Sequence, residues 1–274
     1  MLDSSHENPE IILEDILEIL DECRKKITTY RNNNQIIIES KDVNDFVTNL
    51  DINLQKHIIQ RLKKKYSSHS YISEEKELVY AEVDSDYVWV IDPLDGTVNF
   101  INNIGFCAIS ICLVYKSSPL LSVVYDFNNN EIFDAISGRG ARMNKKEITG
   151  NTFSSNIVGL STGFIKNSNK HTPDFIEYIS NNYKIRILGS QSLHLCYVAA
   201  NRLIGNINIE CKIWDDIAGS LIVTECNKNY EALNEIDLTS TEERTSNLFS
   251  LSGTKKFCDT VRDSYNTLYM LMSK

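Results

Sequence analysis

The chain has 274 residues, 42% hydrophobic and 24% charged, which is enough apolar content to bury a sizeable core in one large domain or two packed halves. With 28 Lys and Arg against 37 Asp and Glu, its formal charge of −9 argues against nucleic acid or an anionic membrane as the main partner, since both need clustered cations. The seven cysteines form no C-x-x-C pair and no repeated spacing, which argues against a zinc site or a disulfide framework and fits a reducing cytoplasm.

Ile12, Leu13, Ile16, Leu20, Cys23 and Ile27 recur at helical spacing and predict an amphipathic helix over 9–30, ended by Asn32-Asn33-Asn34. No charged-then-apolar leader precedes it, so a cytoplasmic protein is expected. Residues 41–45 read as a polar, mobile loop. Val47, Leu50, Leu54, Ile58 and Leu62 mark a second helix with Asp51 on it, and Arg61-Leu62-Lys63-Lys64-Lys65 reads as its solvated end, where cations complement the helix dipole. A short strand at Tyr71-Ile72 leads into Glu74-Glu75.

The segment Trp89-Val90-Ile91-Asp92-Pro93-Leu94-Asp95-Gly96-Thr97 is an apolar strand pattern that ends in two carboxylates. Pro93 disfavours helix at Asp92, Gly96 permits a left-handed or close backbone approach, and Asp95-Gly96-Thr97 is able to open a helix. Two carboxylates leaving one strand end repel each other unless a hard cation joins them, and free amides beside them suit a phosphate. The competing reading makes Asp92 a helix cap and Asp95 a solvated turn residue. From the segment by itself both remain open.

Residues 105–136 predict a meander of strands over 106–115, 120–126 and 131–135 with clear turn chemistry between them; the first run is too short and too polar to span a bilayer. A polar stretch over 138–150 divides the chain into halves, 1–145 and 146–274. The second half alternates strand (157–161, 184–188, 205–209, 247–252) with helix (about 173–181, 191–200, 214–226, 254–271), the pattern of a layered α/β fold.

Three segments in order carry a resemblance: Tyr71-Ile72-Ser73-Glu74-Glu75, then Asp92-Pro93-Leu94-Asp95-Gly96-Thr97, then Ile213-Trp214-Asp215-Asp216-Ile217-Ala218-Gly219. Together they resemble the acidic, D-P-x-D-G-T and W-D motifs of the inositol monophosphatase family, magnesium-dependent and often lithium-sensitive phosphomonoesterases. The resemblance runs from about Lys41 to the last helix. It implies a five-layered αβαβα sandwich of the sugar-phosphatase type, with the site between the halves, and a homodimer.

Carried onto matching positions, the resemblance gives Glu74, Asp92 and the Leu94 carbonyl to one metal and Asp92, Asp95 and Asp215 to a second. The expected cofactor is Mg²⁺, two or three ions per site, with Mn²⁺ as a substitute and Li⁺ as an inhibitor. An all-oxygen ligand set selects such hard ions over zinc. The resemblance makes Thr97, with Glu74 and Asp51, the group that orients and deprotonates the attacking water, and places Lys41 on a loop over the site. Taken alone, Thr97 and Asp215 read as helix caps, Asp51 as a solvated helix residue and Glu74 as an exposed loop residue.

The amides of Gly96 and Thr97 are expected to cradle the phosphate. Arg186, Gly189, Ser190 and Gln191, with Asp95 and Asp215, fall on the substrate side. Asn208 stands where inositol-specific members place a glutamate, a departure that puts inositol in doubt, and Glu210 is the alternative for that role. The expected activity is Mg²⁺-dependent hydrolysis of a small phosphorylated polyol or sugar such as inositol monophosphate. The alternatives are a 3'(2'),5'-bisphosphate nucleotidase, a fructose-1,6-bisphosphatase, or a regulatory protein with a vestigial site.

Overall fold

The apolar stripe of the first helix is buried as its spacing predicts. In the computed structural model, which describes residues 8–33, 35–42, 45–75, 83–149, 156–166 and 172–272, helix α1 spans Pro9–Asn32 and buries Ile12, Leu13, Ile16, Ile19, Leu20, Cys23 and Ile27. Asn8 caps it by accepting from the Glu10 amide at 3.1 Å, and Pro9 sits in the first turn, where no backbone donor is missed.

The segment predicted as a mobile loop is instead largely strand. β1 (Ile38–Asp42) and β2 (Asp45–Thr48) pair antiparallel, Glu39 opposite Val47 and Ser40 opposite Phe46; positions 43–44 lie outside the described residues. Val47 therefore belongs to a strand, and helix α2 (Asn49–Lys65) begins after Thr48, with Asp51 closing a capping box. The basic cluster ends α2 as predicted, with Lys63, Lys64 and Lys65 in its last turn.

A parallel pair, β3 (Ser70–Ser73) and β4 (Tyr87–Asp95), starts a seven-stranded sheet. The short helix α3 (Thr97–Ile101) follows β4, and then come β5 (Ala108–Tyr115), β6 (Ser118–Asp126), β7 (Glu131–Ile136), β8 (Ala141–Met143) and β9 (Lys146–Glu147), each antiparallel to its predecessor. Every β5 residue but Tyr115 is buried, because helices cover both faces of the sheet there; this accounts for an apolar run that only Ser110 interrupts.

The second half supplies β10 (Ile157–Leu160), α4 (Gly163–Lys166), α5 (Thr172–Asn182), β11 (Lys184–Arg186), α6 (Gln191–Ala199), β12 (Gly205–Cys211), α7 (Ile213–Glu225), β13 (Asn229–Ala232), α8 (Thr241–Arg244), β14 (Leu248–Gly253) and α9 (Lys255–Met272). Its five-stranded sheet has the order β11-β10-β12-β14-β13. The sequence pattern missed β13, a four-residue edge strand, and the single-turn helices α4 and α8.

Three apolar clusters show the layering. One joins α1 and α2 to the outer face of the seven-stranded sheet, a second joins that sheet's inner face to α6 and α7, and a third packs β10, β12 and β14 against α5 and α9. The order is αβαβα, with α6 and α7 as the central layer. Among the described residues no helix is long and apolar enough to cross a membrane.

Candidate active site

The two acids of β4 are set apart by a bulge. Asp92 lies opposite Ser110 and Asp95 opposite Ala108, so three steps on β4 face two on β5. A bulge of this kind bends a strand and re-aims its side chains. Gly96 then takes a left-handed conformation (φ +89°) as the N-cap of α3, and a Cβ there would lie 2.9 Å from the Phe106 carbonyl and 3.1 Å from that of Gly189. Thr97 is thus the first helical residue and not a cap.

Asp215 arrives from the central layer, in the first turn of α7. It is not the N-cap either: Lys212 holds that position, and its amide donates to Asp215 Oδ2 at 2.8 Å. Asp92, Asp95 and Asp215 bring ligand oxygens within 4.8 Å of one another. Each has one oxygen engaged by the chain. Asp92 Oδ1 accepts the Leu94 amide at 2.8 Å, and Asp95 Oδ2 accepts Ser190 Oγ at 2.6 Å, Ser192 Oγ at 2.5 Å and the Ser192 amide at 2.8 Å.

Burial raises the carboxyl of all three. It takes Asp92 well above the usual range, aided by the charges of Glu74, Asp95 and Asp215, and Asp215 likewise, aided by Asp95 and Glu74. Asp95 is pushed up to about 6 by burial, against the pull of the Ser190 and Ser192 hydrogen bonds. Three oriented carboxylates that disfavour their own ionisation are a donor set that fits a hard divalent cation.

Beside them lies a second constellation. Asp51 is fully buried; its Oδ2 accepts from the Thr48 amide at 3.0 Å and from the Thr48 hydroxyl, while Oδ1 lies 2.9 Å from Thr97 Oγ1. The expectation of a solvated Asp51 does not hold, because the capping box turns it inward. Burial pushes its carboxyl up to about 6, against the hydrogen bonds from Thr48 and Thr97. Thr97 Oγ1 also lies 3.0 Å from the Leu94 carbonyl. Glu74 is half-buried and pairs with Lys41 Nζ at 3.0 Å; Lys41 also reaches Glu75 at 2.7 Å. Glu75 is buried, with its backbone bracketed by Gln55, and is pushed up to about 7 by burial and by the charge of Glu74.

A cleft of about 140 Å³ adjoins the acids, lined among others by Asp95, Ser161, Gln191, His194, Glu210 and Asp215. Gly189 and Ser190 border it. Gln191 does too, but its amide is committed to Asp216 at 2.7 Å and Asn206 at 3.0 Å. Arg186 is exposed on β11, donates to the Ile185 carbonyl at 2.8 Å and does not line the cleft. Asn208 borders the cleft yet is buried, its amide donating to Cys211 Sγ at 2.6 Å and to the Leu248 carbonyl at 3.2 Å. Glu210, half-buried in the cleft wall, packs over Gly163, where a Cβ would fall 2.7 Å from its carboxyl carbon. The sequence reading passed over Ser192, although a Ser-x-Ser pair at a helix start is a recognisable source of donors.

The inositol monophosphatase family model matches residues 12–247 of the chain. The Nus factor SuhB of Pasteurella multocida (strain Pm70) is 36% identical over 208 residues, covering 72% of this chain and 75% of its own length. The Nus factor SuhB of Escherichia coli (strain K12) is 37% identical over 202 residues, with coverage of 72% and 75%. Among solved structures, the IMPase of Thermotoga maritima superposes with a TM-score of 0.78 at 25% identity, over 95% of this chain and 98% of that one. An IMPase/NADP phosphatase complexed with Mg²⁺ and phosphate shares the fold, with a TM-score of 0.78 at 22% identity over 93% of this chain and 95% of that one.

Proposed function

The chain belongs to the inositol monophosphatase family, and we propose that it is a Mg²⁺-dependent phosphomonoesterase acting on a small phosphorylated polyol or sugar such as inositol monophosphate. The observation that carries this reading is the set of three carboxylates, Asp92, Asp95 and Asp215, with ligand atoms within 4.8 Å of one another beside the Thr97–Asp51 pair.

In this reading Asp92, Asp95, Asp215, Glu74 and the Leu94 carbonyl hold the cation, with Mn²⁺ as a substitute and Li⁺ as an inhibitor. When bound, Mg²⁺ spreads the charge that develops on phosphoryl and leaving-group oxygens and acidifies the water that attacks. The chain does the rest. Thr97, donating to Asp51, keeps its lone pairs for the attacking water, and this reading gives uptake of the proton to Asp51 and Glu74. The amides of Gly96 and Thr97 receive the phosphate.

The cleft favours one phosphate over two. Its lining carries the carboxylates of Asp95, Glu210 and Asp215, and no Lys or Arg among the described residues to meet a second phosphate. At about 140 Å³ it is also smaller than the roughly 300–1,000 Å³ of sites for drug-sized ligands, which suits a single hydroxylated ring. Glu210, and not Asn208, has a carboxylate in the wall to accept from ring hydroxyls.

A second reading follows from the SuhB relatives, which are named Nus factors: a regulatory protein that keeps the fold. One experiment separates the two. Phosphate release is measured from inositol monophosphate, a nucleotide bisphosphate and fructose 1,6-bisphosphate, with Mg²⁺ and with excess chelator. Release from the monophosphate that chelator abolishes supports the phosphatase; no release from any of them favours the regulatory reading.

A further inference from the structure

Asp216 adjoins the acidic cluster in the chain but is turned away from it. It is completely buried in the first turn of α7. A carboxylate in such a place needs several donors, and four meet it: Gln191 Nε2 at 2.7 Å, Ser250 Oγ at 2.9 Å, Cys211 Sγ at 3.5 Å and the Tyr230 hydroxyl. An ionised carboxylate accepts only, so Gln191 must present its NH₂ to Asp216. Its Oε1 is then left to accept from Asn206 Nδ2 at 3.0 Å, and the side chain is fixed at both ends.

Gln191 stands between the two serines that hold Asp95. Ser190 and Ser192 place three donors on Asp95 Oδ2. Asp215, the acid facing Asp95, is the chain neighbour of Asp216. The Gln191–Asp216 hydrogen bond therefore ties the segment that grips Asp95 to the helix turn that carries Asp215.

We propose that Asp216 is a positioning residue of the metal centre: through Gln191 it holds the start of α6 against the first turn of α7 and so sets the spacing between Asp95 and Asp215. The inference rests on the reading of Asp92, Asp95 and Asp215 as metal ligands. Mg²⁺ and Mn²⁺ need their oxygens at set distances, so a loosened pair binds with fewer simultaneous bonds. Losing a group that orients a ligand typically weakens metal affinity roughly 10- to 100-fold.

The test is Mn²⁺ binding to the full chain, followed by the electron paramagnetic resonance signal of free Mn²⁺, with no turnover involved. Gln191→Met removes the tie at similar volume, Asp216→Asn removes the acceptor, and Tyr230→Phe removes a donor to the same carboxylate without touching the tie. The double variant Asp216→Asn with Gln191→Glu restores the hydrogen bond with donor and acceptor exchanged. Gln191→Met and Asp216→Asn are expected to weaken Mn²⁺ binding about tenfold or more. Tyr230→Phe stays close to wild type, and the double variant regains most of the affinity.

Unchanged affinity in Gln191→Met overturns the proposal. Tyr230→Phe weakening Mn²⁺ as much as Gln191→Met also overturns it, because the effect would then be general loosening of the core. Should Asp216→Asn fail to fold, the comparison of Gln191→Met with Tyr230→Phe still decides. Wild-type protein that takes up no Mn²⁺ removes the metal centre itself, and this proposal with it.

Discussion

Thr97 separates a structural from a chemical role at a single atom. Gly96 occupies the cap position of α3, so loss of the Thr97 hydroxyl takes no cap bond from the helix; it takes the partner of Asp51 Oδ1 at 2.9 Å. Thr97→Val is expected to lower kcat by about 10²-fold or more, the usual scale of a positioned proton-transfer group, while Thr97→Ser keeps most of the rate. The buried Asp51 oxygen left without a donor should also cost about 1–3 kcal/mol of stability. Measuring kcat and Tm together checks this, and a Tm loss with unchanged kcat would contradict the proposed role. At Glu210 the expectation concerns selectivity. Glu210→Gln should reduce kcat/KM for inositol monophosphate about ten- to a hundredfold, the worth of a charge-assisted hydrogen bond, and leave cyclohexyl phosphate, which has no hydroxyls, unaffected. Equal losses on both substrates would speak against hydroxyl recognition. Asn208→Glu, by contrast, would put a carboxylate against the Leu248 carbonyl and the Cys211 sulfur in a buried site, and is expected to destabilise the fold without improving turnover.

The β1–β2 hairpin carries Lys41 and ties it to the strand-β3 end through Glu74 and Glu75. Burial by itself would lower the Lys41 ammonium, but the two glutamates outweigh it and hold it raised. Glu75 is the member that reports pH. Its folded carboxyl is raised to about 7 from an ordinary 4.5, so its stabilising contribution is complete below pH 4.5 and is lost as pH rises through 7. Lys41→Met removes the cation that limits this rise, so the loss should continue to higher pH. The difference in Tm between wild type and Lys41→Met is therefore expected to widen above pH 7; a constant gap from pH 5 to 8.5 would show that Glu75 does not feel Lys41. This hairpin was illegible in the sequence for a physical reason: residues 41–45 lack alternating apolar positions, and the strands exist through pairing with each other. Elements with a strong period were legible. The stripe of α1, the meander of β5 to β7 and the apolar α7 all fall within a few residues of their predicted spans. The acidic segments could be read because Asp92, Asp95 and Asp215 are short-range features of strand and helix ends. The fates of Arg186, Gln191 and Asn208 could not, since whether a polar side chain faces a ligand or another side chain depends on partners as distant in the chain as Asp216 and Leu248.

At the scale of the molecule the site lies on the seam of the layers, with Asp92 and Asp95 supplied by the seven-stranded sheet and Asp215 by the central helices. The apolar meander is absorbed by that packing. Residues of β5, β6 and β7 sit in the two clusters flanking the sheet and offer no support for a dimer face, so the homodimer rests on the family alone; a monomer mass by light scattering at micromolar concentration would remove it. The same seam makes stability depend on metal and pH together. Asp51 and Asp95 are raised to about 6 from 3.8, and Asp92 and Asp215 are raised well above the ordinary carboxylate range. Below pH 3.8 all four are protonated in either state, and the metal-free fold carries no charge penalty from them. As pH rises they must ionise side by side in a buried site, Asp51 and Asp95 through about 6, and their contribution is lost. His194 acts in the opposite sense: burial pushes its imidazole down to about 4, so its contribution is present above the ordinary 6.5 and lost as pH falls toward 4. It acts on the metal-free and metal-loaded protein alike and cancels from their difference. A divalent cation that binds the carboxylates in the folded state alone stabilises by mass action, and protons compete for the same oxygens. The rise in Tm on adding Mg²⁺ is therefore expected to be small at pH 5 and to grow as pH rises through 6 toward 7.5. Calorimetry in matched Mg²⁺ and chelator buffers measures it. A Tm increment as large at pH 5 as at pH 7.5 would mean that the cation binds somewhere other than the raised carboxyls of Asp92, Asp95 and Asp215.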